Sequence, residues 1–255
     1  MENVTQIHAA ESRHYRRFQQ PYAAFHPEGY RRLLRAAALP DEGVILDVGG
    51  GSGAFGCELA RSGRRQVIVC DLSRDLLLAG KRHHGGGGVS WIEADAAHLP
   101  LANNSVDGIL LGSVLHHFPD FSAVARECHR CLKPGGICAS ADPNGHNWMM
   151  WLLRNPASPF CSQAGRSANE RWLGAPEVGR VFGEAGFTLA GRHGVRGVVY
   201  RLATFCAQEE NPPLTARLML AAWNTLERGL GLLPTAPFWL GSWMVLRFRK
   251  PGAGR

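Results

Sequence analysis

The sequence lacks any long, uninterrupted apolar run. None of its 255 residues lies in a stretch that approaches the roughly 18 consecutive apolar residues typical of a membrane-spanning helix. Residues 1–14 are polar and contain no apolar core of a secretory signal peptide. We therefore expect a protein without a membrane span, located in the cytoplasm.

Basic runs and metal-ligand clusters are also missing. The formal net charge of +7 would suit a nucleic-acid or anionic-lipid partner, but the arginines are spread along the chain. The seven cysteines are odd in number and irregularly spaced, which favours reduced thiols. Cys128 and Cys131 form a CxxC motif, yet no second pair of ligands at matching spacing completes a zinc site. We expect no nucleic-acid partner and no metal.

What the chain does contain is a regular alternation of strand and helix patterns. Short apolar runs predict strands at 44–48, 66–70, 89–93, 106–111 and 137–141. Capped or amphipathic segments predict helices at 55–61, 73–82 and 121–132. Such βαβ units form parallel sheets, and ligands bind at the carboxyl ends of their strands.

The flanks of this central region break the alternation. Residues 1–40 predict an N-terminal helical cap, and 41–255 the main domain. Within the main domain we expect a substrate lid or insertion at about 143–175 and a helical insertion at about 200–234. A helix at 175–186 and strands at 187–189 and 239–249 should complete the sheet.

A glycine-rich loop follows the first predicted strand. Residues 47–53 read DVGGGSG and open a helix. Glycines allow a tight turn and a close approach to a ligand, and the amides of a helix N-terminus face that ligand. Residues 51–56 also match the GxGxxG of dinucleotide-binding proteins. The acid ahead of the glycines, Asp47, can orient the loop or meet an amino group, and it would be unfavourable beside a pyrophosphate.

Acids close the next two strands as well. Asp71 stands where a carboxylate can accept both ribose hydroxyls of a nucleoside. Asp95 can accept from an adenine amino group while the Ala96 amide donates to the ring. An adenosine with an amino-acid tail accounts for all three acids, whereas a phosphate does not.

With these motifs, residues 44–137 resemble the class I S-adenosylmethionine-dependent methyltransferases, in particular UbiE-like small-molecule enzymes. The resemblance implies an α/β, Rossmann-like three-layer fold with a mostly parallel seven-stranded sheet, N-terminal helices and a lid after strand five. It implies S-adenosylmethionine as cofactor and S-adenosylhomocysteine as product. The implied cofactor-binding residues are Asp47, Gly49, Gly51, Gly53, Asp71, Leu72, Asp95, Ala96 and Ser113.

Candidate catalytic groups follow strands four and five. The sulfonium methyl is already activated, so the protein must align the acceptor and exclude water. His116 and His117 follow strand four, and Asp142 follows strand five. A histidine can accept a hydroxyl proton while a carboxylate orients its ring. We expect His116, rather than His117, to be this base, and the alternative is that the pair caps or packs against the next helix.

The acceptor should be small and hydrophobic, because tryptophan and methionine crowd residues 148–152 and further aromatics stand at 238–243. Oxygen is the favoured acceptor atom, since a histidine base suits a hydroxyl, and nitrogen and carbon are the alternatives. Arg154, Arg166 and Arg171 could meet an acidic group on it or lie in solvent. Tyr15, Phe18 and Tyr22 could close over the cofactor or pack on the sheet.

Four other interpretations compete with methyl transfer to a small molecule: a nicotinamide oxidoreductase, a nucleic-acid methyltransferase, a binding module without catalysis, and a cofactor-binding enzyme that cyclises or rearranges its substrate. The sequence is also compatible with a homodimer.

Overall fold

Seven strands form one sheet in the computed structural model. The structure describes residues 27–61, 63–84, 88–147, 171–195 and 241–252, with isolated positions at 151, 157, 214–215, 217–218, 221–222, 225 and 238. In chain order the elements are α1 (Pro27–Ala37), β1 (Gly43–Val48), α2 (Ala54–Ala60), β2 (Arg65–Asp71), α3 (Arg74–His84), β3 (Val89–Glu93), β4 (Val106–Gly112), a 3-10 turn (Leu115–His117), α4 (Ser122–Cys131), β5 (Leu132–Pro143), α5 (Ala175–Glu184), β6 (Thr188–Val195) and β7 (Trp243–Arg249).

The strand order is β3-β2-β1-β4-β5-β7-β6. Among these seven strands, only β7 runs in the direction opposite to the others. The order reverses between β1 and β4, and this switch point opens a crevice at the carboxyl ends of the strands. The predicted Rossmann-like fold with a mostly parallel seven-stranded sheet is confirmed.

The central strands are continuous apolar runs because both faces of the sheet are covered. Leu46, Ile109 and Leu111 face a core shared with α4 and α5. Ile45 and Leu110 face the opposite core, shared with α1 and α2. These five side chains are at most 1% exposed, and burying each one stabilises the fold by about 1.5–3 kcal/mol.

Several element boundaries differ from the predictions. β5 begins at Leu132 rather than 137, and its pairing with β4 shifts register between Val106 and Gly108. β6 is longer than predicted, because it pairs with β7 along its whole length. Helix α3 continues to His84, where we expected a loop from 83, since buried residues hold this helix on the sheet.

The predicted domain boundaries stay predictions. Of the N-terminal cap the structure describes α1, in which Tyr30 meets Phe55 edge to face with a centroid distance of 4.7 Å. Residues 1–26, most of the lid at about 143–175 and most of the insertion at about 200–234 lie outside the described residues. Within the described part, no helix is long and apolar enough to cross a membrane.

Candidate functional site

The loop after β1 depends on glycine for its path. Gly49, Gly51 and Gly53 have φ angles of 66°, 55° and 77°, in the left-handed region that favours glycine. A Cβ atom on Gly49 would collide with Cγ2 of Val114, and one on Gly53 would collide with the ring of Trp91. The loop is therefore held tightly between the segment after β4 and strand β3.

Asp47 lies beneath this loop and is fully buried. Its Oδ2 accepts a hydrogen bond from the Gly56 amide at 2.9 Å, which ties the strand end to α2. Its Oδ1 is buried and has no hydrogen-bond partner among the described residues. Burial raises the pKa of Asp47 to about 7, with a further contribution from the charge of Asp71. Asp47 thus orients the loop, and one buried oxygen is suited to a cation.

Asp71 joins the glycine loop to the start of α3. Its Oδ2 accepts from the Gly51 amide and its Oδ1 from the Ser73 amide, both at 2.8 Å. A carboxylate offers about four acceptor positions, so ligand hydroxyls can share this group with the two amides. The next residue, Leu72, is 36% exposed and places an apolar surface beside the carboxylate.

Asp95 begins the turn after β3. Its Oδ1 accepts from the Ala97 amide at 2.9 Å, and its Oδ2 lies 3.3 Å from Nδ1 of His98. The Asp95 side chain is 42% exposed, so a ligand can reach it, while Ala96 is buried. The Ala94 amide donates to the Asp71 carbonyl at 3.1 Å, so the two acidic strand ends adjoin.

The turn after β4 begins with a strained residue. Ser113 is not glycine, yet its φ angle is 63°. Its amide donates to the Ala141 carbonyl of β5 at 2.7 Å. Strained backbone of this kind clusters at functional sites. The chain then enters the 3-10 turn that lies against the end of β5.

His116 and Asp142 meet at the ends of β4 and β5. The Nδ1 of His116 lies 2.8 Å from the Asp142 Oδ1, and the exposed fractions are 3% for the histidine and 0% for the aspartate. Burial raises the pKa of Asp142 to about 7, although the backbone amides of the turn and the charge of His117 lower it. The His117 ring lies 4.1 Å from the His116 ring, tilted by 40°, and is only half-buried.

Other predicted residues have different positions. Arg171 neither lies in solvent nor is free for a substrate, because its guanidinium pairs with Glu177 at 2.7 Å and bonds the Phe118 carbonyl. Trp243 belongs to the α1 and α2 core. The remaining candidates lie outside the described residues: Tyr15, Phe18, Tyr22, Trp148, Met149, Met150, Leu152, Arg154, Arg166 and Trp239.

The two cysteines of the CxxC motif lie on α4. Cys128 and Cys131 are buried on α4. In the part of the chain that the structure describes, no group of three potential metal ligands comes together.

The prediction overlooked Asn144, which follows β5 and is fully buried. Its side-chain amide donates to the carbonyls of Phe238 and Gly241 at 2.9 and 2.8 Å. The bonds tie the end of β5 to the segment before β7, close to Asp142. No spacing rule identifies such a residue, because both acceptors lie more than ninety positions away in the chain.

Comparison with known proteins shows what the central part of the chain resembles. Residues 46–140 match the model of a methyltransferase domain family. This stretch is similar to methyltransferase domains. The methyl donor of the family is S-adenosylmethionine, as the resemblance implied.

Three similar proteins illustrate the likeness. The ubiquinone/menaquinone biosynthesis C-methyltransferase UbiE of Desulfotalea psychrophila is 37% identical over 115 residues, covering 44% of this chain and 47% of the relative. The chain thus spans about half the length of the curated relatives it first matches. A SAM-dependent methyltransferase of Thermotoga maritima has a TM-score of 0.63 at 18% identity, covering 96% and 99% of the two chains. The [4+2]-cyclase SpnF has a TM-score of 0.60 at 19% identity, covering 88% and 81%.

The residues at the switch point fit the cofactor. The glycines in left-handed conformations let the backbone turn tightly at the switch point. The Asp47 Oδ1, which has no partner among the described residues, suits a cation such as an ammonium group. Asp71 and Asp95 place carboxylate acceptors at the neighbouring strand ends.

Proposed function

We propose that this protein transfers a methyl group from S-adenosylmethionine to the hydroxyl oxygen of a small apolar molecule. The observation that carries the proposal is the 2.8 Å contact between His116 and Asp142 at the end of β4 and β5. This pair lies close to the glycine loop. Val114, two residues before His116, packs so tightly on Gly49 that it would collide with any side chain there.

The cofactor-binding roles divide along the strand ends. Asp71 would accept the ribose hydroxyls, and Asp95 with the Ala96 amide would hold the adenine, with Leu72 beside it. Asp47 would hold the loop and face the amino group, while Gly49, Gly51, Gly53 and Ser113 shape the path of the backbone. S-adenosylmethionine supplies a methyl group that its sulfonium has already activated.

In the proposed reaction the protein moves one proton. Asp142 holds the His116 ring through Nδ1, so the nitrogen on the other side of the ring, Nε2, is the atom that accepts the hydroxyl proton of the acceptor. His117 lies against the ring and restricts its rotation. A positioned general base of this kind contributes about 10²–10⁴-fold to the rate.

The cofactor assignment is tested by thermal unfolding with S-adenosylhomocysteine, S-adenosylmethionine or NAD. A ligand at about 100 times its Kd stabilises the folded state by about 2.7 kcal/mol. We expect both adenosyl compounds to raise the Tm and NAD to leave it unchanged. A rise with NAD alone would reject the cofactor assignment.

The base is tested with His116→Asn and His117→Asn. The assay uses an acceptor that the parent protein methylates, identified by the mass of the product. We expect His116→Asn to lower kcat by about 10²–10⁴-fold with little change in cofactor affinity. His117→Asn should lower it less. If the ranking is reversed, His117 is the base. If both variants keep full turnover, neither histidine is.

A second candidate is methyl transfer to carbon, and the name of the Desulfotalea relative favours it. A histidine base serves this reaction too. If the acceptor is an aromatic ring with a hydroxyl group, removal of the hydroxyl proton activates the neighbouring ring carbon. Nuclear magnetic resonance of the product separates a methoxy group from a carbon-bound methyl group. Cyclisation without methyl transfer, suggested by the cyclase of similar fold, would give a product of unchanged mass.

We propose a small hydrophobic acceptor as the partner and no nucleic acid. The cytoplasmic location and the homodimer stay predictions.

A further inference from the structure

We propose that Arg171 is a positioning residue that holds the turn carrying His116. The proposal rests on the proposed function only in that His116 is the base. Arg171 itself is not placed in contact with substrate or cofactor.

Three contacts join Arg171 to the turn and to the helix that follows it. Its backbone amide donates to the His116 carbonyl at 2.9 Å. Its Nε donates to the Phe118 carbonyl at 2.7 Å. Its guanidinium lies 5.5 Å from the ring centroid of Phe121, just before α4. Arg171 therefore contacts both ends of the His116–Phe118 segment and the helix behind it.

The other end of the guanidinium is anchored to α5. Its two terminal nitrogens donate to the two carboxylate oxygens of Glu177 at 3.2 and 2.7 Å. A two-point pair of this kind fixes the plane of the guanidinium, and lysine cannot reproduce it. Since α5 packs on the sheet through Val178 and Phe182, the turn is tied to a rigid element.

This arrangement complements the contact on the opposite side of the turn. Asp142 orients the His116 ring from β5, whereas Arg171 fixes the backbone that carries the ring.

The chain offers a matched control on α5, the helix that carries Glu177. Arg180 and Glu184 form an exposed ion pair on α5 at 2.8 Å, separate from the pair of Arg171 with Glu177. Arg180→Ala removes an arginine of equal charge from α5 and leaves the contacts of Arg171 in place. Comparing it with Arg171→Ala separates positioning from a general loss of charge.

The first readout is independent of activity. The proposed function places a proton on the His116 Nδ1, 2.8 Å from the Asp142 Oδ1, and imidazole NMR of the free protein should detect it as a slowly exchanging signal. We expect Arg171→Ala to broaden or abolish that signal, and Arg171→Lys to retain it in part. Arg180→Ala should leave it unchanged. If Arg171→Ala and Arg180→Ala give the same signal as the parent protein, the proposal is overturned.

The second readout is kinetic. We expect Arg171→Ala to lower kcat by on the order of 10–100-fold, as a small displacement of a catalytic group does, while the Kd for S-adenosylhomocysteine stays within about twofold. Arg171→Lys should recover part of kcat. A loss confined to cofactor affinity contradicts the proposal. If the parent protein methylates nothing, the proposed function fails and the NMR comparison still decides the role of Arg171. If Arg171→Ala does not fold, Glu177→Gln, which weakens only the anchor, replaces it in both measurements.

Discussion

The two halves of the switch point are built in different ways. On the side of β1, β2 and β3, the site consists of backbone in left-handed conformations and of carboxylates that accept backbone amides. On the side of β4 and β5, it consists of two buried side chains in direct contact. The first arrangement suits recognition of one invariant ligand, and the second suits proton transfer with water excluded. Three predictions sharpen this contrast.

The largest expected effect comes from Gly49→Ala. The new methyl group would collide with Val114, and alanine is strained at a φ of 66°. We expect a loss of about 2–5 kcal/mol in the free energy of unfolding, combining backbone strain and overpacking. Urea denaturation measures it.

Gly135→Ala is the matched control. Gly135 also has a positive φ angle, 81°, but none of the described residues places an atom within 4 Å of the position that a Cβ would take there. Gly135→Ala should therefore lower the free energy of unfolding by the backbone strain alone, about 1–2 kcal/mol. Equal losses at the two glycines would show that the contact with Val114 is not tight in solution.

The second prediction concerns the buried charge of Asp47. Its pKa is raised to about 7 in the folded protein, against 3.8 ordinarily, so the folded state binds the proton more tightly than the unfolded state does. The ionised carboxylate therefore lowers stability above about pH 7, and this loss fades as the pH falls toward 4. We expect Asp47→Asn to be more stable than the parent protein at pH 8, by up to about 4 kcal/mol, and nearly equal to it at pH 4.

The comparison for Asp47 is Asp107→Asn, measured by urea denaturation at the same two pH values. Asp107 accepts from Lys133 and from the Val44 amide, and these bonds lower its pKa. Removing the Asp107 carboxylate should lower the free energy of unfolding at pH 8. If Asp47→Asn is also destabilised there, the Asp47 Oδ1 has a partner in solution, and its assignment to a ligand cation falls.

The smallest expected effect separates the two nucleoside acids. Asp71→Asn should weaken the affinity for S-adenosylhomocysteine by about 1.5–3 kcal/mol, the worth of a hydrogen bond to a charged group. Asp95→Asn should weaken it less, because the Asp95 side chain is 42% exposed and water competes there. Calorimetric titration measures both. An unchanged affinity for Asp71→Asn would remove Asp71 from the ribose site.

The sequence predicted the sheet and the positions of Asp47, Asp71, Asp95, His116 and Asp142 at the carboxyl ends of its strands, because strand periodicity and strand-end acids are local signals. Element ends were less predictable. β6 is long because β7 pairs with it, and α3 continues to His84 because its buried face packs on the sheet. The contacts of Arg171 were not predicted, since its partners, Phe118 and Glu177, are not marked by any local pattern.

The sequence by itself determined the class of fold and predicted the cofactor, since glycines and acids at strand ends carry their meaning at short range. Only the tertiary structure decided that Asp47 supports the loop with one oxygen, while the other has no partner among the described residues. It brought His116 within 2.8 Å of Asp142, the partner expected from the sequence, and it alone attached Arg171 to their turn. Such pairings depend on the order in which strands assemble into the sheet, and contacts between distant residues become defined only when that sheet forms.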